Sequence, residues 1–234
     1  MNPIQAPVAA FLLSAAAASP ALAVSLGQHN DFEDGSTQGW ITGVSNPVPP
    51  ELAAGGPAGA DDDYLRLTSL GGSGAGSRLV AIGSSGWDGD YVSAGVTALS
   101  MDVVNLGASD LHLRLLIEDQ TAGGSPANIA YSSQAIALAA GSGWQTVVFD
   151  LSADALTPQL GSVATALQTA AFIRLYNSFN PGFPGDTSVS SLGVDNITAV
   201  PEPGTVPLTA AGLLLLAALA ARRSKAARSR ASLA

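Results

Sequence analysis

The chain of 234 residues contains no cysteine and only two histidines. Without cysteine, disulfide frameworks, cysteine zinc sites and thiol nucleophiles are excluded. His29 and His112 do not form a His-x-x-x-His pair, and no Gly-x-Ser-x-Gly nucleophile elbow occurs. The sequence therefore predicts no catalytic residue.

Positive charge is scarce and unevenly placed. Nine Lys and Arg residues stand against 18 Asp and Glu, and five of the nine lie between positions 222 and 230. Residues 24–200 hold only four arginines against 17 carboxylates, a formal charge of −13. A body this acidic repels nucleic acid and anionic membrane, which argues against both as partners. The four arginines are Arg66, Arg78, Arg114 and Arg174.

The N-terminus has the pattern of a secretory signal peptide. An apolar run over residues 7–23 ends in Ala21-Leu22-Ala23, the small-x-small pattern that signal peptidase cuts, although no Lys or Arg precedes it. We predict a signal peptide over residues 1–23, with cleavage after Ala23.

The C-terminus contains three features in a fixed order. Val200, Pro201, Glu202 and Pro203 open a short motif at 200–205, and an apolar run follows at 206–221. A basic tail at 222–234 begins with Arg222 and Arg223. The run is near the minimum length for a transmembrane helix, and the arginines would hold its end in the cytoplasm.

This arrangement resembles the PEP-CTERM sorting signal of Gram-negative bacteria that make exopolysaccharide. The resemblance implies a transient single-pass anchor in the inner membrane and cleavage by an exosortase near residues 201–203. It further implies delivery of the body to the outer surface or extracellular matrix.

The body between the two signals is predicted to be all-β. Along residues 111–118, leucine and isoleucine side chains alternate with His112, Arg114 and Glu118, which indicates a half-buried strand with one polar face. Similar runs predict strands at 64–68, 78–83, 97–106, 129–138, 144–151, 172–177 and 192–200. Residues 153–169 show helix-like spacing, and 47–63 and 71–77 are predicted loops. The spacing favours one antiparallel two-sheet jelly-roll sandwich over residues 24–199.

Several short motifs of the body resemble carbohydrate-binding modules and galactose-binding-like domains. They are Asp31-Phe32-Glu33 near the start, Trp144-Gln145-Thr146-Val147, and Gly193-Val194-Asp195-Asn196-Ile197 at the end. The resemblance implies a structural calcium ion held by Glu33 and Asp195. Asp31, or one of the aspartates at 61–63, would complete the shell, although those three could equally form a solvated turn.

Aromatic residues are few, at 6% of the chain, and they are the candidate platforms for sugar rings. Trp87, Asp88 and Tyr91 fall within six residues, and we predict an aromatic loop that binds sugar. Trp40 and Trp144 are assigned to packing.

Together these observations favour an exported, exosortase-processed surface or matrix protein that is not an enzyme. Its sandwich is expected to bind carbohydrate or to have a structural role with exopolysaccharide. The alternatives are a secreted polysaccharide-active hydrolase and a structural matrix protein without a ligand.

Overall fold

The computed structural model describes residues 23–43, 48–74, 77–83, 85–120 and 124–201. Ala21 of the predicted signal peptide lies outside these residues, as do Glu202, Pro203, the predicted helix at 206–221, Arg222 and Arg223. In the described part, no helix is long and apolar enough to cross a membrane.

The regular secondary structure of the described residues consists of strands and one short helix, α1 (Val163–Gln168). The strands are β1 (His29–Asn30), β2 (Trp40–Ile41), β3 (Glu51–Ala54), β4 (Asp63–Leu70), β5 (Val80–Gly83), β6 (Ala98–Asn105), β7 (Leu111–Asp119), β8 (Ile129–Ser132), β9 (Ile136–Leu138), β10 (Gln145–Asp150), β11 (Leu156–Leu160), β12 (Ala170–Asn177) and β13 (Val189–Val200).

The strands form two antiparallel sheets. The first sheet has the order β10-β6-β13-β4-β3, with β1 paired to the end of β13. The second sheet has the order β11-β8-β7-β12-β5-β2, with β9 paired to β7. This architecture confirms the predicted all-β, two-sheet antiparallel sandwich.

The core lies between the sheets and follows the period-two pattern of the strands. Leu113, Leu115 and Ile117 of β7 are fully buried in it, as are Leu99 and Met101 of β6. Alternation sends the residues between them to the outer face of each sheet. On the second sheet, this outer face also holds a second cluster of buried apolar side chains: Val80, Ile82, Leu116, Tyr131 and Tyr176.

Three predicted segments differ from the structure. The single strand predicted at 129–138 is divided into β8 and β9, which both pair with β7. The predicted loop at 47–63 contains β3, which pairs with β4. The predicted helix at 153–169 is instead the edge strand β11 followed by α1, whose N-terminus is capped when the N–H of Thr165 donates to Oγ of Ser162. Pro158 lies inside β11, and an edge strand tolerates proline because one side of it needs no N–H donor.

Candidate functional site

Trp87 and Tyr91 are buried, so the prediction of an exposed aromatic loop is wrong. Both side chains are 0% exposed. The indole N–H of Trp87 donates to Oδ1 of Asn30 at 2.7 Å, and the hydroxyl of Tyr91 donates to the carbonyl oxygen of Trp87 at 2.8 Å. Burial raises the pKa of Tyr91 well above its ordinary value. These polar ends are satisfied inside the protein, which is what allows the large rings to be buried.

Asp88, the third member of that predicted site, remains partly exposed. It lines a cavity of about 510 Å³ together with Gln28, Asn30 and Ser85. Neither buried ring lines this cavity, so Asp88 has no aromatic platform beside it there.

The two tryptophans assigned to packing differ in position. Trp40 is fully buried, and its indole N–H also donates to Oδ1 of Asn30, at 2.9 Å. Trp144 is half-buried and packs edge-on against Tyr64, with 5.1 Å between ring centroids. Space for these rings exists because Gly193 has no side chain: a Cβ there would lie 3.1 Å from Cη2 of Trp144.

The final strand, β13, buries the carboxylate of Asp195 close to other carboxylates. Asp195 is 1% exposed, and burial raises its pKa to about 7. The carboxylates of Asp62, Asp102 and Glu33 add to this increase. The backbone N–H of Asn196 opposes it by donating to Oδ1 of Asp195 at 2.7 Å. A buried carboxylate among like charges is the environment in which a cation binds favourably.

The predicted calcium ligands fit this environment only in part. Glu33 is close enough to raise the pKa of Asp195, but Asp31 is not among the groups that do so. Oδ1 of Asp31 instead accepts hydrogen bonds from Nε2 of Gln38 and the N–H of Glu33. Within the described ranges, no three His, Asp or Glu side chains are grouped to hold a metal ion. Calcium held by Glu33 and Asp195 would therefore need carbonyl oxygens or water as further ligands.

The outer face of the second sheet carries a cluster of aromatic and charged side chains. Arg174 of β12 forms an ion pair with Glu118 of β7. Its guanidinium carbon lies 5.7 Å from the ring centroid of Phe172 and 5.4 Å from that of Phe183. Phe183 in turn packs edge-on against Tyr176 at 5.6 Å. We call these five residues the aromatic–arginine cluster.

Register explains why the cluster forms. Phe172 faces Glu118 across β12 and β7, and Tyr176 faces Arg114. Phe172, Arg174 and Tyr176 alternate with core residues, so all three point to the outer face. Phe183 comes from the loop after β12, which folds back over the same face.

Arg114 holds that loop against the sheet through hydrogen bonds to its backbone. It is 4% exposed and donates to four backbone carbonyl oxygens, those of Ser132, Ser133, Ser178 and Phe179. The polar residues of β7 thus lie on the outer face of the sheet, as the alternation predicted. They are not exposed there, because the loop covers Arg114, and Glu118 is also buried.

A cavity of about 250 Å³ opens beside the cluster. Its lining residues are Gly43, Ser73, Arg78, Val80, Arg174, Phe183 and Pro184. Nε of Arg174 and the hydroxyl of Tyr176 are buried without a hydrogen-bond partner in the described structure. This site was not predicted from the sequence. The alternation of Phe172, Arg174 and Tyr176 was visible, but the return of Phe183 over that face was not.

No protein-family model matches the chain, and a comparison with curated proteins gives no match. Among solved structures, the chain is similar to an exo-β-agarase, with 17% identity and a TM-score of 0.52. That match covers 76% of this chain and 26% of the agarase, so the chain corresponds to about a quarter of that protein's length.

The fold is also similar to that of a smaller protein, CtCBM11, at 15% identity and a TM-score of 0.50, covering 80% of this chain and 99% of that one. A Family 11 carbohydrate-binding module from Clostridium thermocellum, solved with a β-1,3-1,4-mixed-linked tetrasaccharide, shows 14% identity and a TM-score of 0.48, covering 76% and 97%. At these identities the likeness concerns the fold alone. The fold is a jelly roll like that of carbohydrate-binding modules.

Proposed function

We propose that this protein binds carbohydrate on the outer face of its second sheet, at the aromatic–arginine cluster. The observation that carries the proposal is that the guanidinium group of Arg174 lies within cation–π distance of both Phe172 and Phe183, beside a cavity. A sugar ring presents an apolar face of C–H groups and a rim of hydroxyls. Phenyl rings pack against the former, and a fixed guanidinium or carboxylate hydrogen-bonds to the latter.

The ion pair between Glu118 and Arg174 makes the site rigid before the ligand arrives. Both side chains are mostly buried, so they lose little conformational freedom on binding. The cavity of about 250 Å³ is smaller than sites for drug-sized ligands, which suits a single sugar unit of a longer polymer.

Binding is tested with the full-length protein, purified in mild detergent, by retention on immobilised polysaccharides. The panel holds agarose, mixed-linked β-glucan and xylan as neutral polymers and polygalacturonate as an acidic one. We expect retention on at least one polymer, and weakening of it by about tenfold or more in Phe183→Ala. Val148→Ala is the matched control, because Val148 is a 43% exposed apolar residue on the first sheet.

Failure of every polymer to retain the protein would overturn the binding proposal and favour a structural role without a ligand. Release of reducing sugar from a retained polymer would favour the hydrolase alternative.

We further propose that the protein is exported, cut by signal peptidase after Ala23, and processed by an exosortase near Pro201. Two positions at the ends of the described chain are compatible with this. Val24 is buried, and its N–H donates to the carbonyl oxygen of Asp88 at 2.8 Å. Strand β13 ends at Val200, so Pro201 lies beyond the sheet. An unchanged mature mass and surface location in the double variant Pro201→Ala, Glu202→Ala would contradict exosortase processing.

Calcium is proposed as a structural ion between Glu33 and Asp195. Because calcium would bind the folded state, excess calcium chloride is expected to raise the melting midpoint over that in chelator. Asp195→Asn should abolish this increase, and Asp110→Asn, which changes an exposed aspartate elsewhere, should retain it. The same midpoint with calcium and with chelator would exclude the ion.

A further inference from the structure

Positive charge in the body is concentrated on one face. Of the four arginines in residues 24–200, three lie on the outer face of the second sheet, namely Arg78, Arg114 and Arg174. Arg66 lies on the first sheet and is paired with Glu51. Arg78 and Arg174 therefore gather positive charge at one place on an otherwise acidic body.

The three arginines are only partly neutralised by nearby acids. Arg174 is paired with Glu118, but Arg114 donates only to carbonyl oxygens. Arg78 likewise donates to the carbonyl oxygens of Gly185 and Ser73, and no carboxylate of the described residues forms an ion pair with it. Asp186, in the loop over this face, accepts a hydrogen bond from the N–H of Phe179 at 2.8 Å.

Two of these arginines, Arg78 and Arg174, line the same cavity as Phe183, and none of the described residues that line it is a carboxylate. A guanidinium group binds a carboxylate with two parallel hydrogen bonds, and the pair gains strength where water is partly excluded. Arg78 is partly exposed, so an anion in the cavity could reach its guanidinium group and pair with it.

We propose that this cavity takes a carboxylate-bearing sugar unit, so that the ligand is an acidic polysaccharide containing uronic acid. This inference rests on the proposed function, whose site it shares. The charge distribution also orients the ligand. The carboxylates elsewhere on the body repel a polyanion, and Arg78 and Arg174 attract it to the cavity.

The test compares polygalacturonate with its fully methyl-esterified form, which has the same backbone without the charges. We expect the full-length protein to bind the charged polymer at least about tenfold more tightly. The salt concentration is kept constant, because added salt would screen both the attraction to the arginines and the repulsion by the carboxylates of the body. Sodium galacturonate should compete, and sodium acetate at the same concentration should not, which separates a sugar acid from a simple anion.

Variants assign the effect to the cavity. Arg78→Gln should reduce the preference for the charged polymer by about tenfold, and Arg78→Lys should retain part of it. Arg66→Gln, which removes the same charge from the other sheet, is the matched control and should bind as the parent does. Melting curves show whether Arg78→Gln is folded. If it is not, the parent is compared with Arg78→Lys instead.

The outcomes also separate this inference from the proposed function. Equal binding of both forms, or retention on neutral polymers alone, would overturn the acidic ligand and leave carbohydrate binding standing. Equal losses in Arg78→Gln and Arg66→Gln would show a general charge effect and would also overturn it. If no polymer of either kind is retained, both proposals fail.

Discussion

The guanidinium group of Arg114 donates to the carbonyl oxygen of Ser132 at 2.7 Å, within a side chain that is 4% exposed. Three further carbonyl oxygens, of Ser133, Ser178 and Phe179, complete its partners. A charged side chain that binds only backbone in this way fixes the geometry of the segments around it. Here it joins the end of β8 to the loop that brings Phe183 over the cluster.

Replacing Arg114 by methionine should therefore destabilise the protein. Four carbonyl oxygens lose a charged donor, and we expect the free energy of unfolding in urea to fall by about 3 kcal/mol. Arg66→Met is the control: Arg66 and Glu51 form an exposed pair, whose loss should cost about 0–1 kcal/mol. Similar costs for both variants would show that the carbonyl contacts of Arg114 contribute little.

Asn30 should be critical for the tryptophan cluster. Its Oδ1 accepts from the indole N–H groups of both Trp40 and Trp87, whose rings are buried 5.8 Å apart. Asn30→Ala leaves two buried donors unsatisfied, and the free energy of unfolding should fall by about 3 kcal/mol. Asn180→Ala, which alters an exposed asparagine, serves as the control. A cost below about 1 kcal/mol for Asn30→Ala would mean that water replaces the lost oxygen.

The raised pKa of Asp195 predicts the direction of a pH effect in the metal-free protein. Because its folded pKa of about 7 exceeds the ordinary value of 3.8, the folded state holds this proton more tightly than the unfolded state. The ionised side chain therefore lowers stability above pH 7, and that cost disappears as the pH falls towards 4. In chelator, Asp195→Asn should melt higher than the parent at pH 8, with the difference vanishing near pH 4.

Melting curves of the two proteins across this range measure the effect. A difference that is constant with pH, or that grows towards pH 4, would contradict the raised pKa.

Gly193 should not tolerate a side chain. A Cβ at this position would lie 2.6 Å from Cγ1 of Val104 and 3.0 Å from Cε2 of Tyr64. Gly193→Ala is expected to cost about 1–3 kcal/mol and to change the fluorescence of Trp144, which packs above it. Gly143→Ala is the control, because nothing lies within 4 Å of a Cβ there. Unchanged stability in Gly193→Ala would show that the rings shift at little cost.

The sequence predicted most of the strands because their pattern is local. In β6 and β7 every second residue is apolar, and Leu113 and Met101 are buried as alternation requires. Strands β3 and β11 were missed because each lies at an edge and buries few side chains. Local pattern gives little signal for an edge strand, since pairing with one neighbour is what creates it.

The candidate site was harder to predict because it depends on distant contacts. Trp87 sits between glycine and aspartate, as an exposed loop aromatic would, yet its partner Asn30 is 57 residues away. Similarly, Arg174 and Phe183 come from a strand and a loop whose relative position is set by Arg114. Spacing along the chain carries no information about either contact.

The last strand of the described chain, β13, lies at the centre of the first sheet, between β6 and β4, and also pairs with β1. Without it, that sheet separates into the pairs β10–β6 and β4–β3, and β1 loses the strand to which it is hydrogen-bonded. The sheet therefore cannot assemble progressively during translation. The central hydrogen bonds of this sheet can form only once the whole of β13, up to Val200, is available.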